Sequence, residues 1–256
     1  MNLTNNYPSL KNKVVFITGG ATGIGASLVE AFCRQQAHVA FVDIQDDAAR
    51  SLVEQIAAIE SAATPRYFNC NLLDIDSLKQ VISTVHDEVG PVNVLVNNAA
   101  NDTRHDFRDV TVDYWNERIN TNMRHSFFAI QAVQPHMKAL GGGAIINFGS
   151  MSWHERQPNM TCYTTAKAGL EGMTRGLARD LGEDNIRINT LVPGWVMTDR
   201  QLENWVDDEA VLEINRRQCL KKQLLPEDIS AMTLFLASDD SRMCTAQNFI
   251  VDGGWI

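Results

Sequence analysis

The sequence predicts an α/β fold, a doubly wound parallel sheet in a single domain. Three observations predict it. Short β-branched runs alternate with amphipathic helical stretches along the chain, no Pro/Gly/Ser-rich linker or repeat interrupts them, and a glycine-rich turn follows the first apolar run. Strands alternating with helices call for a parallel sheet covered on both faces. Right-handed crossovers then wind the chain both ways from the middle of the sheet. At 256 residues the chain fits one such domain, 1–256, and is long enough to bury a sizeable core.

The elements follow in order. Val14–Thr18 is the first strand and Gly25–Gln36 the first helix; Val39–Asp43 and Ala48–Ser61 repeat the unit, as do Arg66–Asn69 and Asp76–Val89. Val92–Asn97 is a fourth strand, followed by a long amphipathic stretch, Thr111–Leu140. Ala144–Phe148, the helix Cys162–Leu181, Arg187–Val192, the helix Pro226–Ser238 and Asn248–Val251 complete the pattern. The segment 194–222 has no strand signal and carries Trp195, Trp205 and the acidic run Asp207–Glu209. Ligands of open α/β sheets bind outside the carboxyl ends of the strands, so this insertion reads as a mobile substrate lid.

Composition excludes several classes. The formal net charge is −9 and no basic run stands out, which argues against nucleic acid and anionic membranes as partners. The five cysteines (Cys33, Cys70, Cys162, Cys219, Cys244) are scattered, with no C-x-x-C and no Cys/His cluster at metal spacing, so neither a disulfide framework nor a metal site is expected. Met1 to Lys13 is polar without an apolar signal core, and no stretch approaches the roughly 20 apolar residues of a membrane helix. A reduced, cytoplasmic protein is the expectation.

The run Thr18-Gly-x-x-x-Gly-x-Gly25 stands between a strand and a helix. Gly19 permits the turn, Gly23 lets the backbone approach a pyrophosphate, and Gly25 allows close packing of the helix, whose N-terminus favours the anion. Thr22 and Ile24 lie in the same loop. This predicts a dinucleotide site of Rossmann type, against an ordinary glycine turn as the alternative. Asp43 ends the second strand, eighteen residues past Gly25. A carboxylate there accepts hydrogen bonds from ribose hydroxyls and repels a 2′-phosphate, which selects NAD over NADP; a strand-end aspartate capping a turn is the plainer reading.

Tyr163 and Lys167 lie four residues apart, on one helix face. Tyrosine is a weak base at its ordinary pKa of about 10, and a fixed cation nearby stabilises the phenolate. Ser150 lies thirteen residues before the tyrosine, and Ser152 rivals it at eleven. Taken singly, Tyr163 is also a surface aromatic, Lys167 a solvated charge and Ser150 a strand-end cap.

With the glycine loop, this set resembles the short-chain dehydrogenase/reductase family over nearly the whole chain. The resemblance implies that Tyr163 is the acid/base, that Lys167 tunes it and binds the cofactor ribose, that Ser150 holds the substrate oxygen, and that Asn122 anchors a proton-relay water. It also implies that Asn71 and Leu72 border the adenine, where Asn71 replaces the usual aspartate. Asn97-Asn98-Ala99-Ala100 resembles the family's Asn-Asn-Ala-Gly turn, with Asn98 a cofactor residue and Ala100 a departure from glycine. Pro193–Thr198 resembles the loop that holds the nicotinamide, through Val196 and Thr198. A homotetramer is the family expectation.

Asn101–His105 follows the fourth strand, and Ser152–Gln157 lies between Ser150 and Tyr163. Both segments should border the active site, and both present amides, imidazoles, arginines or a tryptophan. Such groups bind hydroxyls and stack on a sugar face, so a polyhydroxylated substrate is expected. The Asn-Asp-x-Arg-His, Ser-x-Ser-Trp-His and Gly-Gly-Trp-Ile segments resemble bacterial sugar 1-dehydrogenases. The expected substrate residues are Asn101, Arg104, Ser152, His154, Arg156, Trp195 and Arg200. The reading leans to sulfoquinovose because Arg156 is a candidate clamp for a sulfonate, although Arg156 also reads as a loop charge paired with Glu155. Arg104 and Arg200 are further candidates, at positions where pentose enzymes carry arginines too. A neutral aldose such as D-xylose, a ketone or ketoacyl reductase, and a catalytically silent NAD-binding module are the alternatives.

Overall fold

The computed structural model describes residues 5–256, so Met1 to Thr4 of the polar N-terminal segment lie outside the described residues. One seven-stranded sheet organises the chain. The strands are β1 (Val14–Thr18), β2 (His38–Asp43), β3 (Arg66–Asn69), β4 (Val94–Asn97), β5 (Gly143–Phe148), β6 (Ile186–Pro193) and β7 (Asn248–Val251). Every pairing is parallel and the spatial order is β3-β2-β1-β4-β5-β6-β7. The winding direction reverses between β1 and β4, which opens a crevice at their carboxyl ends.

The period-2 geometry of the strands builds two cores. On β1, Val15 and Ile17 join one apolar cluster and Val14 and Phe16 the other. The first cluster packs against α1 (Gly23–Arg34), α2 (Asp46–Ala57) and α10 (Pro226–Ala237). The second packs against α3 (Ile75–Glu88), α5 (His125–Ala139) and α7 (Thr161–Gly182). Strands buried on both faces explain why Val14–Ile17 of β1 is continuously apolar.

Two regions differ from the sequence expectation. The stretch read as one unit, Thr111–Leu140, divides into α4 (Val112–Ile119), a π-helical turn at Asn120–Arg124, and α5. The segment 194–222 is helical, with α8 (Asp199–Asn204) and α9 (Asp208–Arg217), and Val196 makes a single parallel bridge to Leu224. A short helix, α6 (Met151–His154), follows β5. Among the described residues no helix is long and apolar enough to cross a membrane, and all five cysteines are free.

Candidate active site

β1 delivers the chain into the glycine turn. Gly19 has φ 68° and Gly23 has φ 55°, a region disfavoured for other residues. At Gly25 the demand is space, since a Cβ there would lie 1.8 Å from the Gly19 carbonyl oxygen. Thr22 precedes α1 without a side-chain hydrogen bond to it, so the first-turn N–H groups are left for an anion. Asn98 Nδ2 donates to the carbonyls of Thr18 (3.2 Å) and Gly19 (2.8 Å), bracing the turn from β4. Asp43 Oδ2 accepts from the Ala21 N–H at 3.0 Å, and Oδ1 from the N–H groups of Ile44 (2.8 Å) and Gln45 (3.1 Å). Ile24, Val196 and Thr198 line the adjoining cleft. Asn71 is exposed, and its Oδ1 accepts from the Leu73 N–H at 3.0 Å, a turn beside half-buried Leu72. A glycine-rich turn, an uncapped helix start and a carboxylate at the end of β2 fit a dinucleotide; these residues would hold it.

Lys167 and Tyr163 project from the first turns of α7. The ammonium lies 5.6 Å from the centre of the tyrosine ring and donates to the Phe148 carbonyl at 2.6 Å. Lys167 is 1% exposed, and burial brings its pKa down to about 7, against the opposing pull of the Asp102 carboxylate. Burial pushes the Tyr163 phenol above its ordinary value; Asp102 adds to the push and the Ser150 hydroxyl opposes it. Ser150 caps α6, its Oγ accepting from the Ser152 N–H at 3.2 Å and lying 2.8 Å from Ser152 Oγ. The two candidate serines therefore meet, and both line the same pocket as Tyr163 and Lys167.

Asn122 lies buried in the π-helical turn. Its Oδ1 accepts from the Asn101 N–H at 2.7 Å, and its Nδ2 donates to the carbonyls of Arg118 (2.9 Å) and Asn101 (3.1 Å). The side chain thus ties the segment after β4 to the α4–α5 junction.

The expected substrate residues separate. Arg104, Ser152 and Trp195 line the pocket. Arg200 stands at its rim, with Nε 3.2 Å from Asp102 Oδ1. Asn101 does not line the pocket; its Oδ1 accepts from the N–H (3.0 Å) and hydroxyl (2.6 Å) of Thr103 in a local turn. His154 does not either: its Nε2 lies 3.0 Å from Glu171 Oε1 on α7, and its ring lies 3.8 Å from Trp153. Arg156 is corrected most clearly. It ends α6 in the left-handed conformation (φ 64°), is exposed and lies outside the pocket, so it clamps nothing there. Its neighbours Glu155 and Gln157 line the pocket, as do Asp102 and Gln201. Sequence reasoning placed Asp102, Glu155 and Gln157 in segments bordering the site without singling them out, and did not name Gln201 as a site residue. The usable signal was local: a turn that sends Arg156 to solvent directs the residues on either side inward.

The chain is similar to known proteins over nearly its whole length. The family profile described as enoyl-(acyl carrier protein) reductase matches residues 19–256. The D-xylose 1-dehydrogenase of Caulobacter vibrioides is 51% identical over 249 residues, which cover 97% of this chain and 98% of that protein. A probable galactose dehydrogenase of Rhizobium meliloti is 43% identical, with 98% of each chain covered. Among solved structures, a 7α-hydroxysteroid dehydrogenase complexed with NADH and 7-oxo glycochenodeoxycholic acid superposes with a TM-score of 0.91 at 29% identity, covering 97% of both chains.

Proposed function

The chain belongs to the short-chain dehydrogenase/reductase family, and from that premise we propose that it is an NAD-dependent sugar 1-dehydrogenase, oxidising the anomeric hydroxyl of an aldopyranose to the lactone. The observation that carries the reading is the Ser150–Tyr163–Lys167 set opening into a pocket walled by Asp102, Arg104, Gln157 and Trp195. Ser150 and Ser152 present hydroxyls that hold O1 of the sugar. Tyr163 takes the O1 proton, and buried Lys167 stabilises the phenolate that must form first. A nicotinamide nucleotide bound in the cleft supplies the hydride acceptor. Trp195 offers an aromatic face to the sugar, and its Nε1 donates to Gln201 Oε1 at 3.0 Å, which fixes the indole. Asn122, at the junction it pins, is the residue assigned to anchor the proton-relay water. The carboxylate of Asp43 beside the glycine turn favours NAD, because a 2′-phosphate would meet a fixed negative charge.

Within this class the reading leans to sulfoquinovose, with the polar, arginine-bearing pocket as its support. A neutral aldose is the second reading, favoured by the identity to a protein named D-xylose 1-dehydrogenase. The reading also includes a cytoplasmic homotetramer with the helical segment 194–222 acting as a lid; exposed Trp115 and Phe127 on α4 and α5 support an interface on that face. The test is reduction of NAD and NADP by the purified protein on sulfoquinovose, D-glucose, D-galactose and D-xylose, compared as kcat/KM. Turnover of one or more sugars with NAD preferred is expected. Turnover of ketones with NADPH and of no sugar would overturn the reading, and NAD binding without turnover on any substrate would leave a silent binding module.

A further inference from the structure

Each acid of the substrate pocket meets an arginine from the helical segment, although Arg217 also pairs with Glu213 at 2.6 Å. Asp102 faces Arg200 at 3.2 Å, and Glu155 faces Arg217 at 3.2 Å. Both arginines come from α8 and α9. Arg104 is the pocket arginine left over: its Nε is buried without a hydrogen-bond partner, and among the described residues no carboxylate forms an ion pair with it. Its guanidinium carbon lies 4.5 Å from the centre of the Trp205 ring. With the Gln157 amide oriented to satisfy its neighbours, the amide oxygen accepts from Arg104 Nη1 at 2.9 Å and the nitrogen donates to Glu155 Oε1 at 3.0 Å. Glu155 Oε2 in turn accepts from Trp255 Nε1 at 2.8 Å.

A guanidinium stacked on an indole and held at one nitrogen keeps its other edge for a ligand. That fork matches the two oxygens of a carboxylate, phosphate or sulfonate. Glu155 lies near enough to feel the Arg104 charge, but it makes no ion pair with it; its carboxylate bonds are to Arg217, Trp255 and the Gln157 amide.

We propose that Arg104 recognises an oxyanion substituent on the sugar, distant from C1, and that Gln157 and Glu155, anchored on Trp255 near the end of the chain, are positioning residues that aim its guanidinium. The inference rests on the sugar 1-dehydrogenase reading. Of the arginines that the sequence offered as clamps, Arg156 first and Arg104 and Arg200 as further candidates, it assigns the role to Arg104.

The experiment compares wild type with Arg104→Met, Arg104→Lys, Gln157→Leu and Trp255→Phe on sulfoquinovose, D-glucuronate and D-glucose, reading kcat and KM separately. NAD affinity, by quenching of protein fluorescence, reports that each variant is folded. The wild type should prefer an anionic sugar; sulfoquinovose over glucuronate assigns a sulfonate, and the reverse a carboxylate. Arg104→Met should lower the anionic-to-neutral ratio of kcat/KM by about 10- to 100-fold, mostly through KM, as expected for lost charge-assisted hydrogen bonds. Arg104→Lys should keep part of the preference, and Gln157→Leu and Trp255→Phe should lower it to a lesser degree. A merely structural role for the last two would lower turnover of all three sugars alike and leave the ratio unchanged, which would overturn their part. A wild type that prefers glucose, or a ratio unmoved by Arg104→Met, would overturn the clamp while leaving the sugar-dehydrogenase reading intact. No turnover of any of the three would count against that reading itself.

Discussion

Asp102 is the residue whose charge reaches both members of the catalytic pair: it raises Tyr163 and also raises Lys167 against the effect of burial. Sugar oxidation needs the Tyr163 phenol deprotonated, so the rising limb of kcat/KM with pH follows that group. Replacing Asp102 by Asn removes a negative charge and should move the limb toward lower pH. A limb that stays in place contradicts the account. His125 makes a second prediction. It is fully buried, and burial, then the charge of Lys167, brings its pKa from 6.5 to about 4. Between those values the unfolded chain binds the additional proton, so stability falls as pH drops through the window, by on the order of 3 kcal/mol at pH 4. His125→Asn should flatten the change in urea-unfolding free energy between pH 7 and pH 4.5; an unchanged slope refutes it. At this scale the glycines, Asp43, Tyr163 and Lys167 were legible because turn geometry and proton chemistry admit few residue types. Glu155 and Gln157 were not, because whether a loop residue faces inward depends on one φ value, that of Arg156.

Two elements position the site. In the glycine turn, Gly25 leaves no room for a methyl group. Gly25→Ala should displace the turn and raise the Kd for NAD by more than about tenfold in calorimetry, through lost approach to the helix N-terminus; an unchanged Kd would mean that the turn does not hold the nucleotide. On α7, Glu171 accepts from Trp153 Nε1 (2.7 Å), His154 Nε2 (3.0 Å) and Asn248 Nδ2, joining α6 and β7 to the catalytic helix. Glu171→Ala leaves three half-buried donors unpaired and should cost about 1–3 kcal/mol, seen as a lower Tm, together with lower kcat on sugars. Retained Tm would show that α6 is held by other contacts. The strands and most helices followed from hydrophobic period. The π-helical turn at Asn120–Arg124 did not, since one inserted residue barely alters the apolar pattern of Thr111–Leu140.

The whole molecule sets the chemistry by topology. The reversal between β1 and β4 places the glycine turn beside the segments that follow β4 and β5, so the glycine turn, the Tyr163–Lys167 pair and the pocket share one end of the sheet. That arrangement was readable from alternation alone; the helical form of 194–222 was not, because its charged residues carry no strand or core period. A homotetramer would cover Trp115 and Phe127; light scattering at about four times 28.5 kDa supports it, and a monomer contradicts it. The most direct test of the central claim is hydride origin. Take the aldose turned over fastest, deuterate it at C1, and follow the label into the reduced nicotinamide. Quantitative transfer of deuterium, with a primary isotope effect and the lactone or its acid as product, is the predicted result. Reduced cofactor free of deuterium would place oxidation at another carbon and contradict the assignment of Tyr163 to the O1 proton.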